Sequence, residues 1–298
     1  MSLFYSNTDD ENLQEFLHEK FEKLSERVKY KDSILPKFKN ILTGEKLKYF
    51  EDCGKFLGVN EENEVVTGNF CKNRFCPVCN RRYASQKWHK VKCIAEQLKI
   101  VFKPCFALLT LTVENVTGDK LSEEITHLMK SIDRLHKTSL WKNNVIGYFR
   151  SLEVTYNSEK ATYHPHYHYI ICLDKNYADN MIPTWQWRQT WERSARLNYP
   201  SQVNIKIIKD DDALSGGIAE VAKYAVKISS VIEKDSQAIK PLEKALKGRR
   251  LISYGGAIKE IAKQYDKNEK QTLKEKDKYP VEYYEYKDGK YKRKEWQY

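Results

Sequence analysis

No run of about 18 apolar residues occurs in this chain, so no segment of it is suited to cross a membrane as a helix. No secretory leader is expected. The chain opens MSLFYSNTDDENLQEF, acidic and polar rather than basic then apolar, which predicts a cytoplasmic protein. There is no G-x4-G-K-[ST] phosphate loop, so no nucleotide-driven motor is expected, and no internal repeat divides the chain. Acidic residues are in deficit, 41 against 52 Lys and Arg, giving a net charge of +11. That balance favours a polyanionic partner, most simply nucleic acid. With 298 residues and 41% hydrophobic content the chain can pack one large domain or two modest ones. Twenty tyrosines and six tryptophans serve mainly as core, and some can offer faces on which unpaired bases stack. In a reducing compartment the seven cysteines are thiols or metal ligands rather than disulfides.

The pattern divides into an N-terminal helical segment (1–45), a cysteine-rich segment with a basic helix (46–100), a domain over 101–231, and a charged C-terminal extension (232–298) whose tail is expected to be partly disordered. Leu13, Phe16, Leu17, Phe21, Leu24 and Val28 recur at helical spacing. Residues 105–113 read as a strand. Leu121, Ile125, Leu128, Ile132 and Leu135 mark a helix with Ser122 as candidate N-cap. Residues 145–156 and 163–173 read as a hairpin, Pro183 opens a helix carrying Trp187 and Trp191, and 203–209 alternates as a half-buried strand. Gly216-Gly217 precede a helix with Glu220 and Tyr224. This order predicts an α+β domain, an antiparallel sheet with helices packed on it.

Cys71-x4-Cys76-Pro-x-Cys79 sets three thiols in one tight loop, and Cys53 can supply a fourth. Four thiolates suit a closed structural Zn²⁺ site; the alternative is unconnected buried thiols. Cys93, Cys105 and Cys172 fall in apolar segments and are expected in the core. Arg74, Arg81 and Arg82 flank the loop, either as phosphate contacts or as a solvated basic surface.

In a strand His164, His166 and His168 share one face. If His166 and His168 bind a divalent ion, Glu153 on the opposite arm of the hairpin is the candidate third ligand. Two imidazoles and a carboxylate leave positions open for water or a phosphate oxygen, a set suited to Mn²⁺ or Mg²⁺. His164 is either a further ligand or a supporting group. In a helix Glu220, Tyr224 and Lys227 share a face at i, i+4 and i+7. Tyr224 would be a nucleophile assisted by a metal, Lys227 a stabiliser of developing charge, and Glu220 a base for water. The competing reading is an ordinary amphipathic helix.

Together these residues resemble the rolling-circle replication initiators of plasmids, within the HUH endonuclease superfamily. The resemblance covers about 53–263. It rests on Leu109-Thr110-Leu111-Thr112-Val113, on His164-Pro165-His166-Tyr167-His168 and on Glu220-x3-Tyr224-x2-Lys227. Cys71-x4-Cys76-x2-Cys79, Arg81-Arg82 and Tyr254-Gly255-Gly256 are similar to the subgroup with a single catalytic tyrosine and a nearby glutamate. The resemblance implies an HUH nuclease fold with a zinc-bearing N-terminal segment. It implies nicking of origin DNA by Tyr224 to give a 5′-phosphotyrosine and a 3′-OH primer, with termination assisted by Glu220. Origin duplex, single-stranded DNA, a host helicase and a host DNA polymerase would be the partners, and an inverted-repeat origin would suit a homodimer. Rival readings are a relaxase or transposase of a mobile element, a histidine-triad hydrolase, and a non-catalytic zinc-containing DNA-binding regulator.

Overall fold

The computed structural model describes residues 7–61, 64–102, 104–174, 177, 181–222, 231, 235–275 and 280–294. The chain forms two compact units, one of residues 1–82 and 269–298, the other of 83–268.

The first unit contains α1 (Asn7–Phe38), α2 (Glu45–Glu51), β1 (Phe56–Val59), β2 (Val65–Gly68) and the start of α3 (Pro77–Phe102). Two strands of the C-terminal tail join it, and they are numbered last in the chain: β9 (Glu282–Lys287) and β10 (Lys290–Arg293). Its antiparallel sheet runs β10-β9-β1-β2. Within the tail, read as loosely ordered, the described residues 282–287 and 290–293 are thus strands. Its aliphatic content is low, but its tyrosines favour a pleated surface and supply the packing. Tyr283 stacks on Phe56 at 5.5 Å, and Tyr284 and Tyr291 close around Phe21 of α1.

The second unit is built on β3 (Cys105–Thr112), β4 (Val116–Thr117), β5 (Val145–Asn157), β6 (Thr162–Leu173), β7 (Val203–Ile207) and β8 (Ile252–Gly256). The strand order is β7-β3-β6-β5-β8, every pairing is antiparallel, and β4 extends the pairing of β6. The helices are α4 (Leu121–Leu135), α5 (Ser139–Asn144), α6 (Thr184–Ala195), α7 (Asp211–Ala222), α8 (Ile239–Leu246) and α9 (Ala257–Glu275). This is the α+β architecture expected from the element order.

Strand alternation gives the sheet two different faces. On one, Phe106, Phe149, Ile170 and Cys172 pack against Val91, Ile94 and Leu98 of α3, Leu214, Ile218 and Val221 of α7, and Ile258 of α9. On the other, Tyr148 and Tyr169 meet Trp141, which in turn meets Trp187 of α6. The Trp191 indole donates to the Thr112 carbonyl at 2.8 Å, tying α6 to β3.

Two local expectations need correction. Ser122 is not the N-cap of α4. Lys120 holds that position without a side-chain cap bond, and the Ser122 carbonyl accepts from Thr126 and Arg249. Gly216 and Gly217 lie inside α7 rather than before it. A Cβ on Gly217 would sit 3.3 Å from Ile208 Cδ1, so the missing side chain lets α7 press close to the sheet.

Candidate functional site

Central strand β6 is flanked on both sides, and the pairing register determines which residues converge on its inner face. Glu153 of β5 is the direct partner of His166, and Ser151 of His168. On the other flank Thr110 of β3 is opposite His168, and Thr112 opposite His166. Glu153 and His166 are buried. Glu153 Oε2 is 3.1 Å from His168 Nε2 and 3.6 Å from His166 Nε2, and the two Nε2 atoms are 3.1 Å apart. Glu220, near the end of α7, reaches the same spot, with Oε1 3.7 Å from His168 Nε2.

The outer nitrogens are already engaged. His166 Nδ1 donates to the His164 carbonyl at 3.1 Å, and His168 Nδ1 meets Thr110 Oγ1 at 3.1 Å. With Nδ1 so engaged, His166 directs Nε2 inward, toward His168 Nε2 and the Glu153 carboxylate. Burial pushes the Glu153 carboxyl up, but hydrogen bonds and charge from His166 and His168 outweigh it and hold the group well below the usual carboxylate range. A divalent cation can take the place of the protons shared between the Glu153 carboxylate and the two imidazoles. Ligands 2.0–2.2 Å from one divalent ion stand about 3 Å apart when adjacent, which is the spacing found here. The three donors therefore fit a divalent metal.

His164 continues the same face, its ring stacked on His166 at 5.0 Å. It stays outside the cluster of Glu153, His166 and His168, whose ligand atoms lie within 4.8 Å of one another. Burial and the neighbouring His166 charge lower its pKa. Tyr224 and Lys227 lie outside the described residues. The role of Thr110 was not read from the sequence. Its only signal there is a threonine alternating within Leu109–Val113, which gains meaning once β3 is registered against β6.

In the first unit Cys53, Cys71, Cys76 and Cys79 form a second cluster. The Cys53 sulfur is 3.5 Å from both Cys76 and Cys79, and Cys71 is 3.7 Å from Cys79. A tetrahedron of sulfurs 2.3 Å from zinc has edges of about 3.8 Å, so the thiols fit that ion. Backbone amides support the set, Cys71 N–H pointing to Cys53 sulfur and Lys72 N–H to Cys79 sulfur. Hydrogen bonds from Cys53, Cys71 and Cys76 hold the Cys79 thiol far below its ordinary range. Gly54 turns the chain at φ +80°, and a Cβ there would come within 2.9 Å of Val28 and 3.3 Å of Val78. Of the three remaining cysteines Cys172 is buried and Cys105 half-buried. Cys93 is exposed on α3, contrary to the expected core position, because the turns of α3 bury Val91, Ile94 and Ala95 instead.

Arg82 lies over the Phe70 ring at 4.1 Å, Arg81 is exposed, and Arg74 is half-buried. Burial, then the charge of Arg81, depresses the pKa of Arg27 on α1, so like charges are held close on this surface.

Residues 62–298 match the family model described as "Replication protein". The chain is 38% identical over 223 residues to "Protein rep" of Streptococcus pneumoniae serotype 2 (strain D39 / NCTC 7466), covering 72% of this chain and 70% of that protein. It is 34% identical over 241 residues to "Protein rep" of Lentilactobacillus hilgardii, covering 75% and 76%. A "Protein rep" of Staphylococcus aureus is 31% identical over 227 residues, covering 73% of this chain and 98% of its own length. No solved structure matches.

Proposed function

The chain belongs to the replication-protein family of rolling-circle plasmid initiators, and from that premise we propose that it nicks and rejoins origin DNA by tyrosine transesterification. The observation that carries the proposal is the convergence of Glu153, His166 and His168 on one sheet face, with Glu220 of α7 beside them. Mn²⁺ or Mg²⁺ held by those three residues would neutralise charge on the scissile phosphate.

The Tyr224 hydroxyl attacks phosphorus, the P–O3′ bond breaks, and a 5′-phosphotyrosine forms. The phenolic proton is given up and the departing 3′ oxygen is protonated, leaving a 3′-OH to prime a host polymerase. Because one phosphoester replaces another, rejoining needs no nucleotide cofactor. Lys227 stabilises developing charge, and Glu220 activates water for hydrolytic release at termination. Thr110 and the His164 carbonyl orient the two imidazoles. In the first unit Zn²⁺ on Cys53, Cys71, Cys76 and Cys79 would be structural, and Arg74, Arg81 and Arg82 would contact phosphates of the origin duplex. Unwinding falls to a host helicase in the cytoplasm.

The test is a denaturing gel of protein with labelled single-stranded origin-region DNA and Mn²⁺, wild type beside Tyr224→Phe. A metal-dependent adduct lost in the variant supports the reading. Adduct retained by the variant moves the nucleophile elsewhere, and tight duplex binding without any adduct identifies a DNA-binding regulator instead.

A further inference from the structure

Beyond the histidine cluster the sheet face continues toward the tip of the β5–β6 hairpin. There Asn115, Thr155, Tyr156, Asn157, Ser158, Glu159 and His164 line an open cavity of about 350 Å³. Two of these residues connect it to the metal-ligating cluster. Thr155 pairs with His164 across the strands, as Glu153 does with His166 two residues away. The His164 ring stacks on His166. Two residues of strand span about 6.6 Å, so the cavity begins one short step from the candidate metal ligands on the same face.

Its chemistry is selective. The lining offers carboxamides, hydroxyls and an imidazole, contains no Lys or Arg, and includes the Glu159 carboxylate. A phosphate would meet no cation here and one repelling charge. A neutral, flat group rich in hydrogen-bond donors and acceptors is better matched. The wall is also fixed in advance. Asn157 Oδ1 accepts the backbone N–H groups of Glu159 and Lys160 at 3.0 and 3.1 Å. Ala161 closes the turn in the left-handed region at φ +49°. On the opposite rim Asn115 Nδ2 donates to Thr162 Oγ1 at 3.2 Å, which steadies the amide and leaves its Oδ1 available to a ligand. The volume is in the lower part of the range for small-ligand sites, about 300–1,000 Å³.

We propose that this cavity is a subsite for one unpaired nucleobase flanking the scissile phosphate, turned out of the strand and read by Asn115 and Thr155. The inference rests on the nicking reading for its placement beside the scissile bond. Sequence-specific recognition of single strands commonly works this way, through splayed bases hydrogen-bonded along their edges. The subsite would contribute to choosing the nick position, with the histidine cluster supplying chemistry alone.

Fluorescence anisotropy of the full chain with labelled origin-region single strands, without added divalent metal, tests this in the absence of cleavage. Each nucleotide around the nick is replaced in turn by an abasic residue. One position should weaken wild-type binding about tenfold, the scale of a good base contact. That sensitivity should vanish in Asn115→Ala combined with Thr155→Val while the other positions keep theirs. Thr155→Val alone, which preserves the branched strand residue, should lose part of it at an unchanged melting temperature. No sensitive position, or full sensitivity in both variants, overturns the subsite. Adduct formation with Mn²⁺ is scored separately. Discrimination lost in the variants without any wild-type adduct would sink the catalytic reading and leave the base subsite standing.

Discussion

Acidification should destabilise the second unit through His136, at the end of α4. Its ring is caged by Trp141 at 4.2 Å and Tyr148 at 4.6 Å, and its Nε2 lies 3.4 Å from the Tyr169 hydroxyl. Burial, then the charge of Arg150, pushes its pKa from the ordinary 6.5 down to about 3. The folded state therefore holds a neutral imidazole, whereas the unfolded chain takes up a proton below pH 6.5. Stability from this group is fully present above 6.5 and is lost as pH falls toward 3. A shift of this size corresponds to about 5 kcal/mol when complete, and about 2 kcal/mol is lost by pH 5. That is a large share of the ~5–15 kcal/mol that holds a typical domain. The assay compares thermal unfolding of wild type and His136→Gln from pH 7.5 to 5.0. The variant pays a constant packing penalty but has nothing to titrate at this position. The other ionisable groups are common to both proteins and cancel in the difference. The wild-type advantage should shrink by about 2 kcal/mol, roughly 4–8 °C in melting temperature for a unit of this size. Parallel curves across the range would refute the argument and mean that water reaches His136 when folded.

Thr110→Val keeps a β-branched strand residue but removes the hydroxyl beside His168 Nδ1. Divalent-metal affinity, read by Mn²⁺ titration of adduct formation, should fall about 10–100-fold; an unchanged titration means that Thr110 does not orient the imidazole. Cys76→Ser should lower the zinc content measured by elemental analysis and lower the melting temperature, and wild-type values for both would remove the structural-metal assignment. Arg81→Gln with Arg82→Gln should weaken duplex binding regardless of sequence. The slope of log affinity against log salt should become shallower by about 2; an identical slope would mark these arginines as solvated surface.

The sequence was legible where periodicity is long and its meaning local. The order of strand, helix, hairpin, helix, strand and helix follows from apolar spacing, and so does the shared face of His164, His166 and His168. Where neighbours decide, it was less legible. Nothing local to Leu109–Val113 says that Thr110 will meet His168, since the β3–β6 register arises from packing of the whole sheet. Ser122 has the chemistry of an N-cap, yet the chain enters α4 two residues earlier and the serine carbonyl is used by Arg249. The Gly216-Gly217 pair resembles a helix breaker, but tertiary contact with Ile208 rewards the absence of a side chain at Gly217. The tail misleads most. Its Lys and Glu dominate the composition, while Tyr283, Tyr284 and Tyr291 do the packing and only β1 and α1 give them a surface.

The location of the candidate metal ligands on β6 has a physical reason. Two histidines on one strand can orient only themselves, so a third ligand and a brace must come from beside them. An edge strand has one neighbour and can obtain one of these. A central antiparallel strand has two, and β6 uses both, Glu153 arriving from β5 and Thr110 from β3. The opposite face of the same strand carries Tyr167 and Tyr169, both buried and packed beneath α4 and its aromatic neighbours. Alternation thus lets one strand present polar chemistry on one side and rigid packing on the other. A one-residue slip of β6 would turn the histidines into the aromatic layer and the tyrosines toward Glu153. The apolar face therefore holds the register, and through the register it sets the 3.1–3.6 Å spacing of Glu153, His166 and His168.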